Sequence, residues 1–413
     1  MKLSRVFILA LLSTITVEAV AQTDSILVSN KDTVAYRYTP VGDFSSQSRQ
    51  RKGREAVLRC LVGGDADESF ERKVDMTFVP TIYYTPSTSA GLAFMASGRY
   101  RLDKQNRTIP ASDFSVYATA SLTGFYRVGA RGNNIFKNDN QRIIYNAEFY
   151  SMPTSFWGVG YDAAMTNTPL KYLASRTLVD ARFLQKVTKG LYVGAGADFD
   201  YHFGRFGGKR NFASESDFLA RLGDNRTDYF ATGLSLFVEF DTRDVISNPQ
   251  HGVYIGVQAK VRPKGMNNVG RTLWMTRLTA NYYQRLWKGA VLAFDLHGEY
   301  NSKGTPWIYN AILGSTIRGY YAGRFNDLCV ISLQAELRQQ IYKRFGAVAW
   351  GGAANVFHDF RSFSWRETLP TYGIGLRYEV IKGMNIRLDY GFGCRDHRGK
   401  LIHGAVFSFN EAF

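Results

Sequence analysis

Residues 253–261 read VYIGVQAKV, in which apolar side chains occupy every odd position. Tyr254, Gly256, Gln258 and Lys260 fill the positions between them. A period of two is that of a β-strand whose two faces meet different surroundings. A soluble sandwich alternates in the same way, but its polar face is the outer one. Glycines and charges that share one face favour a hydrated lumen, so the stretch predicts a strand of a membrane barrel.

The same alternation recurs along most of the chain and is clear in residues 191–201, 372–380 and 386–392. The connections are of two kinds: very short turns at 188–190, 287–289 and 381–383, and long polar loops near 203–229, 302–328, 358–370 and 393–402. Short turns on one rim and long loops on the other are typical of an outer-membrane barrel.

Residues 74–413 leave room for about 16 strands, each with a span of about 10 tilted residues and a connection. The pattern leaves one hairpin within residues 104–171 open. A membrane supplies no water to the edge of an open sheet, so we expect the sheet to close on itself. The sequence therefore predicts an all-β fold, a transmembrane antiparallel β-barrel over residues 74–413.

Composition excludes two other classes. The 413 residues carry a formal net charge of +16 and include 15% aromatic residues and 39 glycines, with a mean hydropathy of −0.22. The aromatic content excludes intrinsic disorder. After residue 20 no apolar run approaches the roughly 18 residues of a spanning helix, which excludes a polytopic helical membrane protein. The basic excess alone is compatible with nucleic acid or an anionic membrane surface as the partner.

The first residues decide between those partners. Lys2 and Arg5 precede an apolar run at 6–12, and an Ala-Val-Ala sequence at 19–21 follows at signal-peptidase spacing. This pattern predicts a signal peptide over residues 1–21, and an exported protein meets no chromosomal DNA, so we expect no nucleic-acid partner. Residues 22–73 are polar and are predicted to form a periplasmic N-terminal extension or a small plug.

Candidate cofactor and metal ligands are few. Cys60, Cys329 and Cys394 are odd in number and far apart, so they indicate neither a disulfide framework nor a zinc site. The sequence has no His-Glu-x-x-His motif. We therefore expect no cofactor and no metal.

Four blocks go beyond a generic barrel pattern. They are a turn motif (Asp241, Arg243, Asp244, Pro249, Gly252), a loop motif (Ile317, Arg318, Gly319, Tyr320), a strand motif around Glu336, and a C-terminal strand with Gly404, Phe407 and Phe409 that closes on Phe413. In this order the blocks resemble the barrel of the BamA/TamA outer-membrane assembly superfamily, also called the bacterial surface antigen barrel. The resemblance covers residues 74–413.

The resemblance implies that loop 302–328 folds back into the lumen, where Arg318 pairs with acidic side chains of neighbouring strands. Glu336 matches one family acid and lies on the polar face of its strand. The position of the second acid is occupied by Gly352, so the resemblance implies a loop held by a single carboxylate. The alternative is an ordinary solvated loop arginine.

The resemblance also implies a function and a location. Family members carry periplasmic POTRA domains, but residues 22–73 are too few for one, so this chain is expected to lack them. The implied function is outer-membrane protein assembly and insertion, or protein translocation, in the bacterial outer membrane. The C-terminal aromatic residues resemble the signal that assembly machinery recognises, with a lipid-facing aromatic girdle as the alternative. The expected partners are outer-membrane lipids, including lipopolysaccharide, and other outer-membrane or periplasmic assembly proteins.

Two other classes stay open. A passive or gated pore is compatible with a barrel of this size, and a basic lumen would favour anions. A surface-exposed hydrolase could use the pairs His358–Asp359 and Asp396–His397, which lie in two consecutive long loops. Adjacent residues in a loop point apart, and no Gly-x-Ser-x-Gly elbow is present. We therefore expect that the protein is not an enzyme.

Overall fold

The computed structural model describes the following residues: 69–70, 73–85, 89–106, 109, 111–122, 124–208, 212–223, 226–244, 248–314, 317–381, 384–409 and 413. The predicted signal peptide and nearly all of the predicted extension 22–73 lie outside these residues, and both stay predictions.

The described chain contains eighteen strands and two short α-helices. The strands are β1 (Asp75–Thr85), β2 (Ser89–Tyr100), β3 (Ser112–Ser121), β4 (Tyr126–Ile135), β5 (Gln141–Phe156), β6 (Leu170–Thr188), β7 (Leu191–Arg205), β8 (Asp228–Asp241), β9 (Gly252–Arg262), β10 (Leu273–Trp287), β11 (Ala290–Asn301), β12 (Ala311–Ile312), β13 (Asn326–Asp327), β14 (Cys329–Tyr342), β15 (Phe345–Phe357), β16 (Leu369–Ile381), β17 (Met384–Arg395) and β18 (Leu401–Phe409). The helices are α1 (Tyr161–Thr166) and α2 (Glu215–Leu222). In the described part of the chain, no helix has the length and apolar character needed to cross a membrane.

Sixteen of the strands form one antiparallel sheet in which neighbours in sequence are neighbours in space. The two-residue strands β12 and β13 pair only with each other, inside the long loop between β11 and β14. The predicted number of strands is therefore confirmed. The sequence pattern left the strands of segment 104–171 ambiguous by one hairpin, and in the structure this segment contains β3, β4 and β5.

The expected closure of the sheet is not found among the described residues. β1 pairs with β2 and β18 pairs with β17, but no ladder joins β1 to β18. β1 contains Pro80, which has no N–H to donate, and proline in a sheet is found on edge strands for that reason. β1 therefore lacks one donor for a closing ladder.

The two faces of the sheet have the polarity of a membrane barrel. In β14, Leu333 is 53% exposed, whereas its neighbours Gln334 and Glu336 are at most 1% exposed. In β9, Ile255 is 41% exposed, and Lys260 on the other face pairs with Asp198 of β7 at 2.5 Å. Apolar side chains thus face outward and charged ones face inward, the reverse of a soluble sandwich and the pattern required by a lipid surface.

The two rims of the sheet differ in the length of their connections. We call them the turn rim, which carries the short turns 189–190, 288–289 and 343–344, and the loop rim, where the connections β5–β6, β7–β8, β9–β10, β11–β14, β15–β16 and β17–β18 begin and end. Two connections depart from this pattern, because 101–111 and the one between β8 and β9 are long and lie on the turn rim. An even number of strands places both ends of the sheet on the turn rim.

Candidate functional site: a loop held against the inner wall

Loop 302–328 is a folded substructure that lies among inward-facing side chains. It contains the β12–β13 ladder and a hydrophobic cluster with Leu313, Ile317, Tyr320 and Phe325, which are at most 2% exposed. Residues of α1 (Ala164, Met165) and of the wall strands (Val330, Ala354, Val356, Leu369, Ile402) belong to the same cluster. The loop therefore packs inside the sheet, as the resemblance implied.

The tip of this loop, residues 317–320, brings Arg318 to two carboxylates on the wall. Arg318 Nη1 lies 2.5 Å from Glu336 Oε2 of β14 and 3.0 Å from Asp389 Oδ2 of β17. The guanidinium also lies over the ring of Trp350, 3.8 Å from the ring centroid. Arg318 is 6% exposed and both acids are fully buried. This arrangement is not that of a solvated loop arginine.

The expectation that a single carboxylate holds the loop is wrong. The second acid is Asp389 on β17, whereas the resemblance pointed to the position of Gly352 on β15. Gly352 pairs with Gln334 of β14, and a Cβ atom there would come within 2.4 Å of the Leu333 carbonyl oxygen. The wall therefore has no room for an acidic side chain at Gly352, and the carboxylate comes from two strands further along.

Four arginines share the two carboxylates. Arg338 Nε lies 2.7 Å from Glu336 Oε1, and Arg377 Nη1 lies 2.5 Å from Asp389 Oδ1. Arg387 Nη1 is 4.0 Å from Asp389 Oδ2. We call these six residues the lumenal charge cluster: Arg318, Glu336, Arg338, Arg377, Arg387 and Asp389. Its formal charge is +2, because each carboxylate contacts more than one guanidinium but offsets the charge of only one.

Glycine and tyrosine fix the backbone beside Arg318. Gly319 has a φ of +94°, and its backbone packs directly on Gly391 and Phe392 of β17. The Tyr320 hydroxyl donates to the Pro370 carbonyl at 2.6 Å and accepts from the Cys394 N–H at 3.0 Å. Burial raises the pKa of the Tyr320 phenol, which keeps it protonated and able to donate. The loop tip is thus held by ion pairs and by backbone contacts together.

A second anchor, which sequence reasoning missed, holds the other end of the loop. The Tyr309 hydroxyl donates to the Asp200 carbonyl oxygen of β7 at 2.9 Å. Arg262 of β9 lies over the Tyr309 ring, 4.1 Å from its centroid. β7 is the seventh strand and β17 the fifteenth of the sixteen in the sheet. The loop therefore connects walls that are eight strands apart.

The turn motif is not part of this site. It lies between β8 and β9 on the turn rim, where Arg243 makes two hydrogen bonds to Asp241, both of 3.0 Å. Asp244 Oδ1 accepts from the Gln250 N–H at 3.0 Å, and Pro249 is buried. Gly252 has a φ of +114°, which favours glycine. The motif therefore orders a tight turn.

The C-terminal block reaches the lumenal charge cluster at one residue. Gly404 pairs with Gly391, and Phe407 and Phe409 pair with Leu388 and Ile386 in the β17–β18 ladder. The Phe413 carbonyl oxygen accepts from Arg338 Nη2 at 2.8 Å, with the Phe413 ring 5.6 Å from that guanidinium. Phe413 therefore contacts the inward face of the sheet, so this residue is not part of a lipid-facing aromatic girdle. Recognition of this block by assembly machinery stays a prediction.

The two Asp–His pairs have separate partners. His358 Nδ1 lies 3.2 Å from Asp327 Oδ1, whereas Asp359 accepts from the backbone of Arg361 and Ser362. His397 contacts Thr166 at 3.1 Å. Burial opposes ionisation of Asp396, but hydrogen bonds from the Lys400 and Arg398 N–H groups and from two guanidiniums outweigh it and lower the Asp396 pKa. Neither histidine is hydrogen-bonded to the aspartate beside it in sequence.

Metal ligands do not cluster in the described part of the chain. Among these residues, no group of three or more His, Cys, Asp or Glu side chains is arranged to hold a metal ion. The carboxylates of the lumenal charge cluster are instead bound to guanidiniums, and the chemistry available there is ion pairing.

Comparison with known proteins defines the fold. No family model matches the chain, and no curated protein matches it. Among solved structures, it is similar to BamA from Haemophilus ducreyi lacking POTRA domains 1–3, with a TM-score of 0.51 and 11% identity over 82% of this chain and 70% of that one. It is also similar to CdiB from Acinetobacter baumannii, with a TM-score of 0.51 and 12% identity over 82% of this chain and 60% of that one.

The protein therefore has the fold of the bacterial outer-membrane β-barrels. At this level of identity the similarity concerns the fold alone, and the chain spans less than two thirds of CdiB. What those proteins do is considered below only as a proposal.

Proposed function

We propose that this protein is an integral outer-membrane barrel of the BamA/TamA type that acts in outer-membrane protein assembly and insertion, or in protein translocation. The observation that carries the proposal is the pair of unmatched edge strands, β1 and β18, between which the described residues form no ladder. Edge strands present free N–H and C=O groups, which template the addition of another strand. An incoming chain can add to such an edge by backbone hydrogen bonding.

The held loop supports the same proposal. A sheet that opens at its seam needs other contacts to keep its shape, and loop 302–328 supplies them between β7 and β17. The loop also fills part of the lumen, which opposes a steady flow of solutes. We propose outer-membrane lipids, lipopolysaccharide among them, and other assembly proteins as partners.

A passive or gated pore is the second candidate. The inward face of the sheet is lined by charges, as in the pairs Lys260–Asp198 and Arg127–Glu148, and a charged inner wall suits a hydrated channel. Single-channel recording separates the two candidates. Large and steady openings support the pore, and small flickering ones support a lumen obstructed by loop 302–328.

The assembly proposal is tested by reconstitution. We expect the purified full chain, in liposomes, to accelerate insertion of an unfolded outer-membrane barrel protein, measured by protease protection of the client. Liposomes that contain a small porin in place of this chain are the control for membrane defects. Depletion of the protein from cells should lower the amounts of several barrel proteins in the outer membrane. Equal rates with and without the chain, together with an unchanged outer-membrane proteome, would contradict the proposal.

The orientation of the barrel gives a separate prediction. The turn rim is expected to face the periplasm and the loop rim the outside, because long loops are extracellular in outer-membrane barrels. A membrane-impermeant maleimide should label Arg361→Cys on intact cells, and Lys288→Cys only after lysis. The unsubstituted protein controls for native thiols, of which Cys329 is buried. Labelling of Lys288→Cys alone on intact cells would reverse the assignment.

A further inference from the structure

The connection between β15 and β16, which we call loop 358–368, packs against one face of the sheet at the loop rim. The Phe360 ring of this loop stacks on Tyr300 of β11, with 5.8 Å between the two ring centroids. The Phe363 ring meets Phe357, the last residue of β15, edge to face at 5.3 Å. The loop therefore lies on the wall of the sheet at these two points.

The face that the loop covers is the outward one. Tyr300 and Phe357 both pair with Cys329 of β14, so the three side chains point to the same side of the sheet. Ile331 and Leu333 follow Cys329 at intervals of two residues, and both are exposed on the outer wall. Cys329 is only 1% exposed, because the loop covers it. Loop 358–368 thus lies on the lipid-facing side, opposite to loop 302–328.

Hydrogen bonds give loop 358–368 a defined shape. Asn355 of β15 is on the same outward face, and its Nδ2 donates to the Ser364 carbonyl oxygen at 2.7 Å. Asp359 Oδ1 accepts from the N–H groups of Arg361 and Ser362, each at 2.9 Å. A polar group on a wall that meets hydrocarbon is costly without a hydrogen bond. The loop therefore supplies an acceptor to an amide that would otherwise face lipid.

Two aromatic side chains of the loop stay exposed, and each is followed by an arginine. Phe360 is 73% exposed and Trp365 is 81% exposed. Arg361 and Arg366 are exposed as well, and neither forms an ion pair with another described residue. Exposed apolar side chains that lie together mark a surface that meets a partner or a membrane. Here the exposed pair continues a wall that already faces lipid.

The height of the loop on the wall matches a membrane interface. β15 has 13 residues, and at about 3.3 Å per residue and a tilt of about 40° its ends are about 30 Å apart along the membrane normal. Outer-membrane barrels have an apolar band about 25 Å tall with aromatic residues at both interfaces. Tyr342 and Phe345 are exposed at the turn rim. Phe360 and Trp365 therefore lie at the level of the opposite interface.

We propose that loop 358–368 anchors the barrel in an anionic lipid layer. Phe360 and Trp365 insert at the boundary between acyl chains and headgroups, the depth that aromatic side chains favour. Arg361 and Arg366 bind the phosphates of lipid headgroups through charge-assisted hydrogen bonds. Continuity with the lipid-facing wall makes the membrane the source of these phosphates. Headgroups remain in contact with water, so a maleimide can still reach position 361. The anchor does not depend on the assembly function.

The first measurement locates Trp365 relative to the lipid. The purified full chain is placed in nanodiscs of phosphatidylcholine and lipid A that contain phosphatidylcholine with a nitroxide near the top of its acyl chain. The difference in fluorescence between the unsubstituted protein and Trp365→Phe isolates one tryptophan among six. We expect this contribution to be quenched by the nitroxide and protected from iodide in the buffer. Trp307→Phe is the matched control, because that ring packs on Phe156 and Phe218, and its contribution should not be quenched by the nitroxide.

The second measurement tests the arginines. Lipid A is titrated into the full chain in micelles of an uncharged detergent, and binding is followed by calorimetry. Arg361→Gln and Arg366→Gln should each weaken binding about fivefold, which is the contribution of one basic side chain near an anionic lipid surface. Both positions are exposed, so folding is preserved. Arg271→Gln is the matched control and should change nothing, because Arg271 is an exposed arginine that lies over Gly304 of the loop inside the sheet.

Three results would overturn the proposal. Quenching of Trp365 by iodide but not by the nitroxide would place the loop in water. Protection of Trp365 from both quenchers would mean that a second copy of the chain covers these side chains. Binding of lipid A that neither Arg361→Gln nor Arg366→Gln weakens would exclude the phosphate contacts. The liposome insertion assay decides the assembly function separately in each case.

Discussion

Glu336→Ala is expected to be among the most destabilising single substitutions in this protein, and Arg318→Ala is expected to reverse part of that loss. Glu336 is fully buried and is bound by Arg318 and Arg338. Its removal raises the formal charge of the lumenal charge cluster from +2 to +3. Leaving a charge buried without its partner costs about 3–5 kcal/mol, and less where water enters the lumen. The combined variant restores the charge of +2 and should be more stable than Glu336→Ala alone.

The measurement is the temperature at which the folded band is lost on gels. Asp389→Ala should behave as Glu336→Ala does, because Asp389 binds the same loop arginine and also Arg377. The matched control is the partly exposed pair of Arg277 and Glu299 on β10 and β11, which should contribute no more than about 1 kcal/mol. If the losses of Arg318→Ala and Glu336→Ala simply add, the two residues act independently and the coupling is absent.

Local periodicity was sufficient to predict the strands and the two rims. In VYIGVQAKV the apolar residues Ile255 and Val257 do face outward, and Lys260 faces an inward acid. This succeeds because alternation along one strand reports the polarity of its two faces without reference to any partner strand. Closure of the sheet was predicted from a general argument, that a membrane supplies no water to an open sheet edge. Whether a ladder forms between β1 and β18 depends on the pairing of these two strands, and the pattern of a single strand does not reveal it.

The charge partners of the loop depend on strand register and were predicted only in part. Glu336 pairs with Trp350 across the β14–β15 ladder, so the neighbouring strand offers Arg318 an aromatic face and no carboxylate. Asp389 was visible only as one polar residue in the alternating stretch 386–392. Tyr309 and Asp200 are 109 residues apart in sequence, and no local pattern connects them. These contacts follow from the fold of the loop, which a period of two does not encode.

Glycines form a flat strip of wall beneath the loop tip, and this strip gives the second prediction. Gly391 pairs with Gly373 of β16 on one side and with Gly404 of β18 on the other. A Cβ atom on Gly391 would lie 2.8 Å from the Gly319 nitrogen and 2.9 Å from its Cα atom. These are backbone atoms, so the loop tip must move away from the wall to admit a side chain. The strip thus explains why the loop tip approaches β17 so closely.

Gly391→Val should therefore displace the loop tip while every charge of the cluster is retained. We expect a several-fold rise in single-channel conductance, and a loss of about 1–3 kcal/mol in stability, as is usual for overpacking. Gly351→Val on β15 is the matched control, because Gly351 is exposed and has open space around its Cβ position. Adding Arg318→Ala to Gly391→Val should raise conductance little further, since the loop tip has already left the wall. If Gly391→Val and Gly351→Val conduct alike, contact between Gly319 and Gly391 does not hold the loop, and the ion pairs of Arg318 alone position it.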